Sequence, residues 1–240
     1  MGKPRLIIFA SGKRSGGGSG FENLVSSPEL DADIVAAVSN HERGGVHERA
    51  MRLGIPFAYF NPPEHSYILK NVRISCGSVA EAYRDIVEKT GAEWVALSGW
   101  LRQVSGLDPR RTFNIHPALL SQLDHSSTLL RASRFGGRGM YGHHIHEAVK
   151  AALDAGEITE SGLTMHFVTD EMDRGPAFFE HRVPLTQGMT ADDIAKAVNK
   201  AEHEWQPKIT NMIVHGEIRW DGKSPASLTT PEGYSYRPRS

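Results

Sequence analysis

Leu6 to Ala10 is a continuous apolar run that gives way to Gly16-Gly17-Gly18-Ser19-Gly20 and then to a helix-forming stretch beginning near Phe21-Glu22-Asn23-Leu24. A strand apolar at every position needs cover on both faces, as in a parallel sheet flanked by helices. Glycines at the end of such a strand open the helix with unpaired backbone N–H groups, and these suit an anion together with the positive helix end. A glycine-rich turn by itself is only a flexible loop; its place after a first strand is what favours phosphate. A dinucleotide site usually has Asp or Glu at the end of the second strand to hold ribose. Here that strand ends in Ser39-Asn40-His41, with Glu42 beyond it. The Walker pattern needs Gly-Lys-Ser or Gly-Lys-Thr at the helix start, where this chain has Gly20-Phe21-Glu22. Lys13 and Arg14 are additional cations, and the sequence leaves open whether they meet phosphate or solvent.

The alternation continues along the chain. Ala32 to Ser39 reads as a strand, His47 to Leu53 as a helix and Phe57 to Phe60 as a short strand, the pattern of a parallel sheet. After Pro62-Pro63, Ser78 to Thr90 is helical, with Val79, Ala82, Tyr83, Ile86 and Val87 as its inward stripe. Glu93 to Leu97 and Thr112 to His116 are further strands, and from Leu120 to Gly142 the periodicity dissolves into a long mobile loop rich in Ser, Arg and Gly. Ile145 to Ala155 reads as a helix, and Leu163 to Thr169 with Ala177 to Val183 as an antiparallel pair. Thr190 is an N-cap with Asp192 and Asp193 in the positive first turn. That helix is expected to reach about Trp205, to be interrupted at Pro207, and to resume briefly through Ile209, Met212 and Ile213. The fold expected is α/β and Rossmann-like: an open, twisted, mostly parallel sheet with helices on both faces. One domain is expected over residues 1–222, with an extended tail over 223–240.

With 240 residues, 39% hydrophobic and 23% charged, the chain can bury a sizeable core. A net charge of −1 gives no global reason to expect nucleic acid or an anionic membrane as partner, so any anion site is local. The expected partners are small molecules; the sequence does not indicate an oligomeric state. Cys76 is the one cysteine and cannot form an internal disulfide, which suits a reducing compartment. Its ordinary role is a small half-buried side chain. The amino-terminal apolar run is too short for a signal peptide, and no run of about eighteen apolar residues appears, so a cytoplasmic location is expected.

The chemistry concentrates in Asn114-Ile115-His116-Pro117, which closes one strand, and in Thr169-Asp170-Glu171-Met172-Asp173-Arg174-Gly175-Pro176, which follows another. In an extended strand side chains alternate, so Asn114 and His116 share a face, roughly 7 Å apart, while Phe113 and Ile115 face the core. An amide donor, a titratable ring and a carboxylate to orient that ring are the parts that acyl transfer to an amine uses. A lone strand histidine is more often structural, and Asp173 before Gly175-Pro176 is by itself an ordinary turn carboxylate. The end of a parallel strand, where open α/β sheets bind ligands, raises the standing of His116.

These segments, together with the glycine loop, Ser98-Gly99-Trp100-Leu101-Arg102 and Ala201-Glu202-His203-Glu204-Trp205-Gln206-Pro207, resemble the glycinamide ribonucleotide formyltransferase family, the folate-dependent enzymes of purine synthesis. The resemblance spans Leu6 to about Pro207. It implies formyl transfer from 10-formyltetrahydrofolate, as co-substrate, to the amine of glycinamide ribonucleotide. It also implies Asn114, His116 and Asp173 as the catalytic group, with Asn114 and a protonated His116 donating to the oxyanion. Gly18, Ser19 and Gly20 would hold the substrate phosphate and Glu202 its ribose hydroxyls, with Asn199 assisting. Trp100, Leu101, Arg102, Thr169 and Asp170 would line the folate side, with His144 near the site and His166 supporting it. On spacing alone Glu202 lies about 80° round the helix from Ile194, at the border of core and solvent, which equally suits a half-exposed glutamate. Trp100 and Arg102 have an ordinary reading too, as core and surface residues. His143, His144 and His146 invite a metal reading, but no Cys or acidic partner stands at a recognised zinc spacing, so no metal is expected.

One departure from the family bears on specificity. Members commonly continue His-Pro with Ser-Leu-Leu-Pro, whereas this chain has Ala118-Leu119-Leu120-Ser121 and a longer segment through Arg134. A methionyl-transfer-RNA formyltransferase is expected to carry a further basic domain, and a formyltetrahydrofolate hydrolase a regulatory domain before the glycine loop. The remaining alternatives are a formyltransferase for another amine, such as an amino-sugar nucleotide, and a non-catalytic module that binds a phosphoribosyl ligand.

Overall fold

A computed structural model describes residues 2–12, 17–122, 133–137 and 139–232. Nine strands form one open sheet. In chain order these are β1 (Arg5–Phe9), β2 (Asp33–Ser39), β3 (Phe57–Asn61), β4 (Ser66–Leu69), β5 (Val72–Ser75), β6 (Trp94–Ser98), β7 (Thr112–His116), β8 (Glu160–Phe167) and β9 (Ala177–Pro184). Their spatial order is β5-β4-β3-β2-β1-β6-β7-β8-β9. The five strands from β3 to β7 across the middle pair in parallel. An antiparallel pair extends the sheet at each edge.

Five helices cover the sheet: α1 (Ser19–Ser26), α2 (Gly45–Leu53), α3 (Val79–Thr90), α4 (His143–Asp154) and α5 (Ala191–Val214). The apolar run of β1 divides between the two faces. Leu6, Ile8 and Ala10 pack with Phe21 and Leu24 of α1, Val46 and Ala50 of α2 and Ile209 and Ile213 of α5. Ile7 and Phe9 point the other way, onto Ala82, Tyr83 and Ile86 of α3. Burying each such large side chain contributes about 2 kcal/mol, so a polar residue at any of the buried positions Leu6 to Phe9 is penalised. A third cluster joins Ile145, Val149 and Leu153 of α4 to Ile194 and Val198 of α5. No helix among the described residues is long and apolar enough to cross a membrane.

Two features depart from the sequence expectation. β4 and β5 form a hairpin that the sequence reading passed over; its turn is Lys70-Asn71, both with positive φ (50° and 65°). That is the backbone a two-residue hairpin turn demands, reached without the glycine that normally advertises it. The second is α5, which runs unbroken through Pro207. Proline at 207 cannot donate to the His203 carbonyl one turn earlier. That carbonyl instead accepts from Asn23 Nδ2 of α1 at 2.8 Å, so no buried acceptor is left bare and the helix continues.

After α5 the chain returns to the core. Trp220 Nε1–H donates to the Ser224 carbonyl (2.8 Å), Arg219 and Thr229 form a β-bridge, and Leu228 packs against the first cluster.

Candidate active site

β1 pairs with β2 on one side and β6 on the other, so the chain winds outward in both directions from β1 and β6. The crevice beyond the carboxyl ends of such a strand pair is where open α/β sheets bind ligands. Here it is a cleft of about 570 Å³ lined from the glycine loop to Arg102, the ends of β7 and β8, and α5. Ser11 fastens the two strand ends: its N–H donates to the Gly99 carbonyl (3.0 Å) and its Oγ accepts from the Leu101 N–H (3.0 Å).

At one end of the cleft, Gly18 stands at the cap position before α1, with a left-handed φ of 87° and no side chain to offer the first turn. The amides of that turn are therefore left for a ligand. Gly20 is glycine for a packing reason, since a Cβ there would lie 2.7 Å from Ser98 Oγ. Arg49 of α2 holds the loop from outside, donating to the Gly17 carbonyl (2.7 Å) and pairing with Glu22 (2.7 Å). Lys13 and Arg14 lie outside the described residues, as do residues 123–132 and Arg138 of the expected 120–142 loop.

The centre of the cleft brings Asn114, His116, His166 and Asp173 together. Antiparallel pairing sets Asn114 directly opposite His166. His166 Nδ1–H donates to the Phe167 carbonyl (2.8 Å), which leaves Nε2 to accept from Asn114 Nδ2 (3.1 Å). Asp173 lies between the two rings, Oδ2 at 3.6 Å from His116 Nδ1 and Oδ1 at 3.5 Å from His166 Nε2. Its backbone has φ 54°, a left-handed geometry that non-glycine residues seldom adopt. The carboxylate also accepts from the Gly137 N–H at 2.8 Å. Burial alone would raise the Asp173 carboxyl, but His116, His166 and that N–H hold it well below the usual carboxylate range. Burial pushes the His116 ring down, opposed by Asp173 and by the Phe135 carbonyl. His116 Nε2–H donates to that carbonyl at 2.6 Å. Both nitrogens of His116 thus face protein groups, and the amide of Asn114 keeps its second N–H for the cleft.

Along the far wall α5 presents Lys196, Asn199, Glu202 and Gln206. Asn199 Nδ2 approaches Glu202 Oε2 at 3.4 Å, and burial raises the Glu202 carboxyl to about 7. Gln206 is buried and accepts from Ser98 Oγ (3.3 Å), which ties the helix to the floor beneath Gly20.

On the expected folate side, Leu101 is 44% exposed at the cleft wall beside Arg102. Trp100 combines both of its expected readings. It lines the cleft, yet its ring is built into the aromatic core with Phe9 (5.3 Å between centroids), and its Nε1–H donates to Tyr83 Oη (3.1 Å). Thr169 lines the cleft, whereas Asp170 borders a smaller adjoining cavity, its carbonyl accepting from Gln103 Nε2 at 3.1 Å. His144, expected near the site, stands beside the cleft rather than in its wall, its ring against that of Tyr141 (5.6 Å between centroids). His144 turns outward to Glu147 (3.2 Å), and His143 and His146 line the cleft instead. Residues three apart on a helix share a face, so once His143 faces the cleft His146 follows and His144 does not.

Ser11, Arg49, Phe135, Gly137, His143, His146, Lys196 and Gln206 were not singled out as site residues by sequence. Gln206 at least lay within a quoted motif; the Phe135–Gly137 stretch lay in a segment with no periodicity to place it. Among the described residues no group of three or more His, Cys, Asp or Glu side chains is placed to hold a metal.

Comparison with known proteins gives this architecture its class: the chain belongs to the formyl transferase family, whose sequence pattern matches residues 4–210. Within that class its similarity runs to phosphoribosylglycinamide formyltransferases. The chloroplastic enzyme of Arabidopsis thaliana is 30% identical over 225 residues, covering 91% of this chain and 68% of the relative. That of Bacillus subtilis (strain 168) is 25% identical, covering 88% and 94%. In fold, the crystal structure of glycinamide ribonucleotide transformylase 1 from Symbiobacterium toebii superimposes with a TM-score of 0.73 at 22% identity, over 96% of this chain and 95% of that one.

Proposed function

We propose that this protein transfers the formyl group of 10-formyltetrahydrofolate to the primary amine of glycinamide ribonucleotide, a step of de novo purine synthesis. The observation that carries the reading is a single cleft that joins bare α1 amides, a His–Asp centre and a largely apolar wall in a chain of this family. A phosphate suits the amides of Gly18, Ser19 and Gly20, and two ribose hydroxyls suit Glu202 with Asn199. A flat heterocycle suits the wall formed by Leu97, Leu101, Val104 and Val168, with Arg102 and the Thr169–Asp173 backbone as polar anchors.

In the transfer, the amine nitrogen bonds to the formyl carbon, the bond from that carbon to the folate nitrogen breaks, and a proton passes from the amine to that nitrogen. Charge gathers on the formyl oxygen in between. Asn114 offers its second N–H to that oxygen, and His116 offers its Nε2–H by exchanging the Phe135 carbonyl for it. Asp173 keeps the ring in register and compensates its charge. One preorganised donor of this kind typically lowers a barrier by about 3 kcal/mol, and holding the two substrates together lowers it further. The same reading places the protein in the cytoplasm with small molecules as its partners, in keeping with one cysteine and a near-neutral charge.

The test is an acceptor panel. Purified protein is incubated with 10-formyltetrahydrofolate and, separately, glycinamide ribonucleotide, amino-sugar nucleotides and simple amines, and formylated product is read by mass. The account expects glycinamide ribonucleotide to give the highest kcat/KM. Preference for an amino-sugar nucleotide would reassign the acceptor, and binding without transfer to any amine would make the chain a binding module.

A further inference from the structure

His116 and Asn114 are the donors that the reaction needs, yet the ring of the first is held at both nitrogens and the second spends one N–H on His166. A third polar side chain faces the same cleft without such commitments. His146, at the end of the first turn of α4, is 8% exposed and lines the cleft together with His116 and Asn114. Its Nδ1 is sealed from solvent and has no hydrogen-bond partner among the described residues. A sealed N–H without an acceptor is rarer and costlier than a sealed lone pair, so the ring proton belongs on Nε2. Nε2 is then the nitrogen that a molecule in the cleft can reach, and it reaches it as a donor.

Resting on the formyl-transfer reading, we propose that His146 is a further catalytic residue, whose Nε2–H donates to the formyl oxygen as that oxygen gains charge. The surroundings suit a donor rather than an acid. Burial first, then the charges of His143 and His116, push the ring down to about 4, so it is uncharged at neutral pH. The positive end of α4 acts in the same sense, since its field disfavours a second cation nearby. A neutral imidazole near a helix N-terminus can polarise a carbonyl without surrendering its proton. No net proton transfer passes through His146: it begins and ends the cycle as the same tautomer, and its contribution is a hydrogen bond strongest in the transition state. This role also accounts for an imidazole that is buried at the cleft with one nitrogen unsatisfied, an arrangement that costs stability when it serves nothing.

His146→Leu and His146→Gln, measured in the full chain with 10-formyltetrahydrofolate and glycinamide ribonucleotide, test the assignment. The leucine variant is expected to lose roughly 10²-fold in kcat with KM changed little, and the glutamine variant, which restores an N–H, to recover a substantial part. The kcat profile of the wild type is expected to show no titration attributable to His146 between pH 5 and pH 8. Should the leucine variant fail to fold, ¹⁵N-labelled imidazole signals of the wild type decide. His146 should show a protonated Nε2 that shifts when an analogue bearing a geminal diol at the formyl carbon binds; an unmoved signal overturns the proposal. A folded leucine variant with wild-type kcat, or a glutamine variant no better than leucine, overturns it while leaving formyl transfer standing. A wild type that formylates no amine overturns both readings together.

Discussion

Glu202 illustrates how a single side chain is set by its surroundings. Burial lifts its carboxyl to about 7 from an ordinary 4.5, with Asn199 opposing. Between those two values the native state holds a proton that the unfolded chain has released, so native stability falls as pH rises through that window. Glu202→Gln removes the loss. Its stability is expected to exceed that of the wild type at pH 8 by on the order of 1 kcal/mol after allowance for partial solvent contact, seen as a higher melting temperature, and to match it at pH 4. The same variant should raise KM for glycinamide ribonucleotide. Thermal melts at the two pH values decide the first point, and a melt difference that grows toward acid would refute it. That Asn114 and His116 share a face was legible because a strand alternates with a two-residue period, whereas the 3.6-residue period left Glu202 at the border of core and solvent and only the resemblance assigns it a role. The partners of His116 and Asp173 were not legible: the Phe135 carbonyl and Gly137 N–H are main-chain groups of a segment without period, and no side-chain pattern marks them. The resemblance points to His144 in this segment, and which of His143, His144 and His146 lines the cleft depends on the helix face that α4 turns inward.

At the scale of elements, α5 carries a proline in its interior without breaking, and the reason is a contact with a residue 180 positions away. Removing Asn23 leaves the His203 carbonyl without its donor, so Asn23→Ala is expected to cost about 1–3 kcal/mol. In a Pro207→Ala background the helix regains its own N–H at 207, and Asn23→Ala should then cost much less. Denaturant midpoints of the four proteins provide the cycle; equal costs in both backgrounds would show that Asn23 serves some other purpose. Sequence alone weighs a proline by local rules, and here a tertiary donor overrides them. The β4–β5 hairpin escaped for a related reason: Lys70 and Asn71 take up left-handed geometry that sequence cues assign to glycine first. Strong local signals were read correctly, among them Thr190, whose side chain accepts from the Asp193 N–H while Asp193 caps in return.

At the scale of the whole molecule, the apolar runs and their alternation with helices specified a parallel α/β centre. The position of the cleft follows from winding outward from β1 and β6. What the runs did not specify was the β4–β5 edge of the sheet, while the antiparallel β8–β9 pair at the other edge is legible in them. The molecule places its parts by this division of labour. Rigid strand ends hold Asn114 and His116, a turn in an unusual conformation delivers Asp173, and one long helix spans the wall from Lys196 to Gln206. The central claim is that these parts transfer a formyl group. It is tested most directly by turnover of His116→Ala and Asp173→Asn with 10-formyltetrahydrofolate and glycinamide ribonucleotide, alongside their unfolding transitions. The account predicts a loss of at least about 10²-fold in kcat for each variant with cooperative unfolding retained. Wild-type turnover in both folded variants would contradict it.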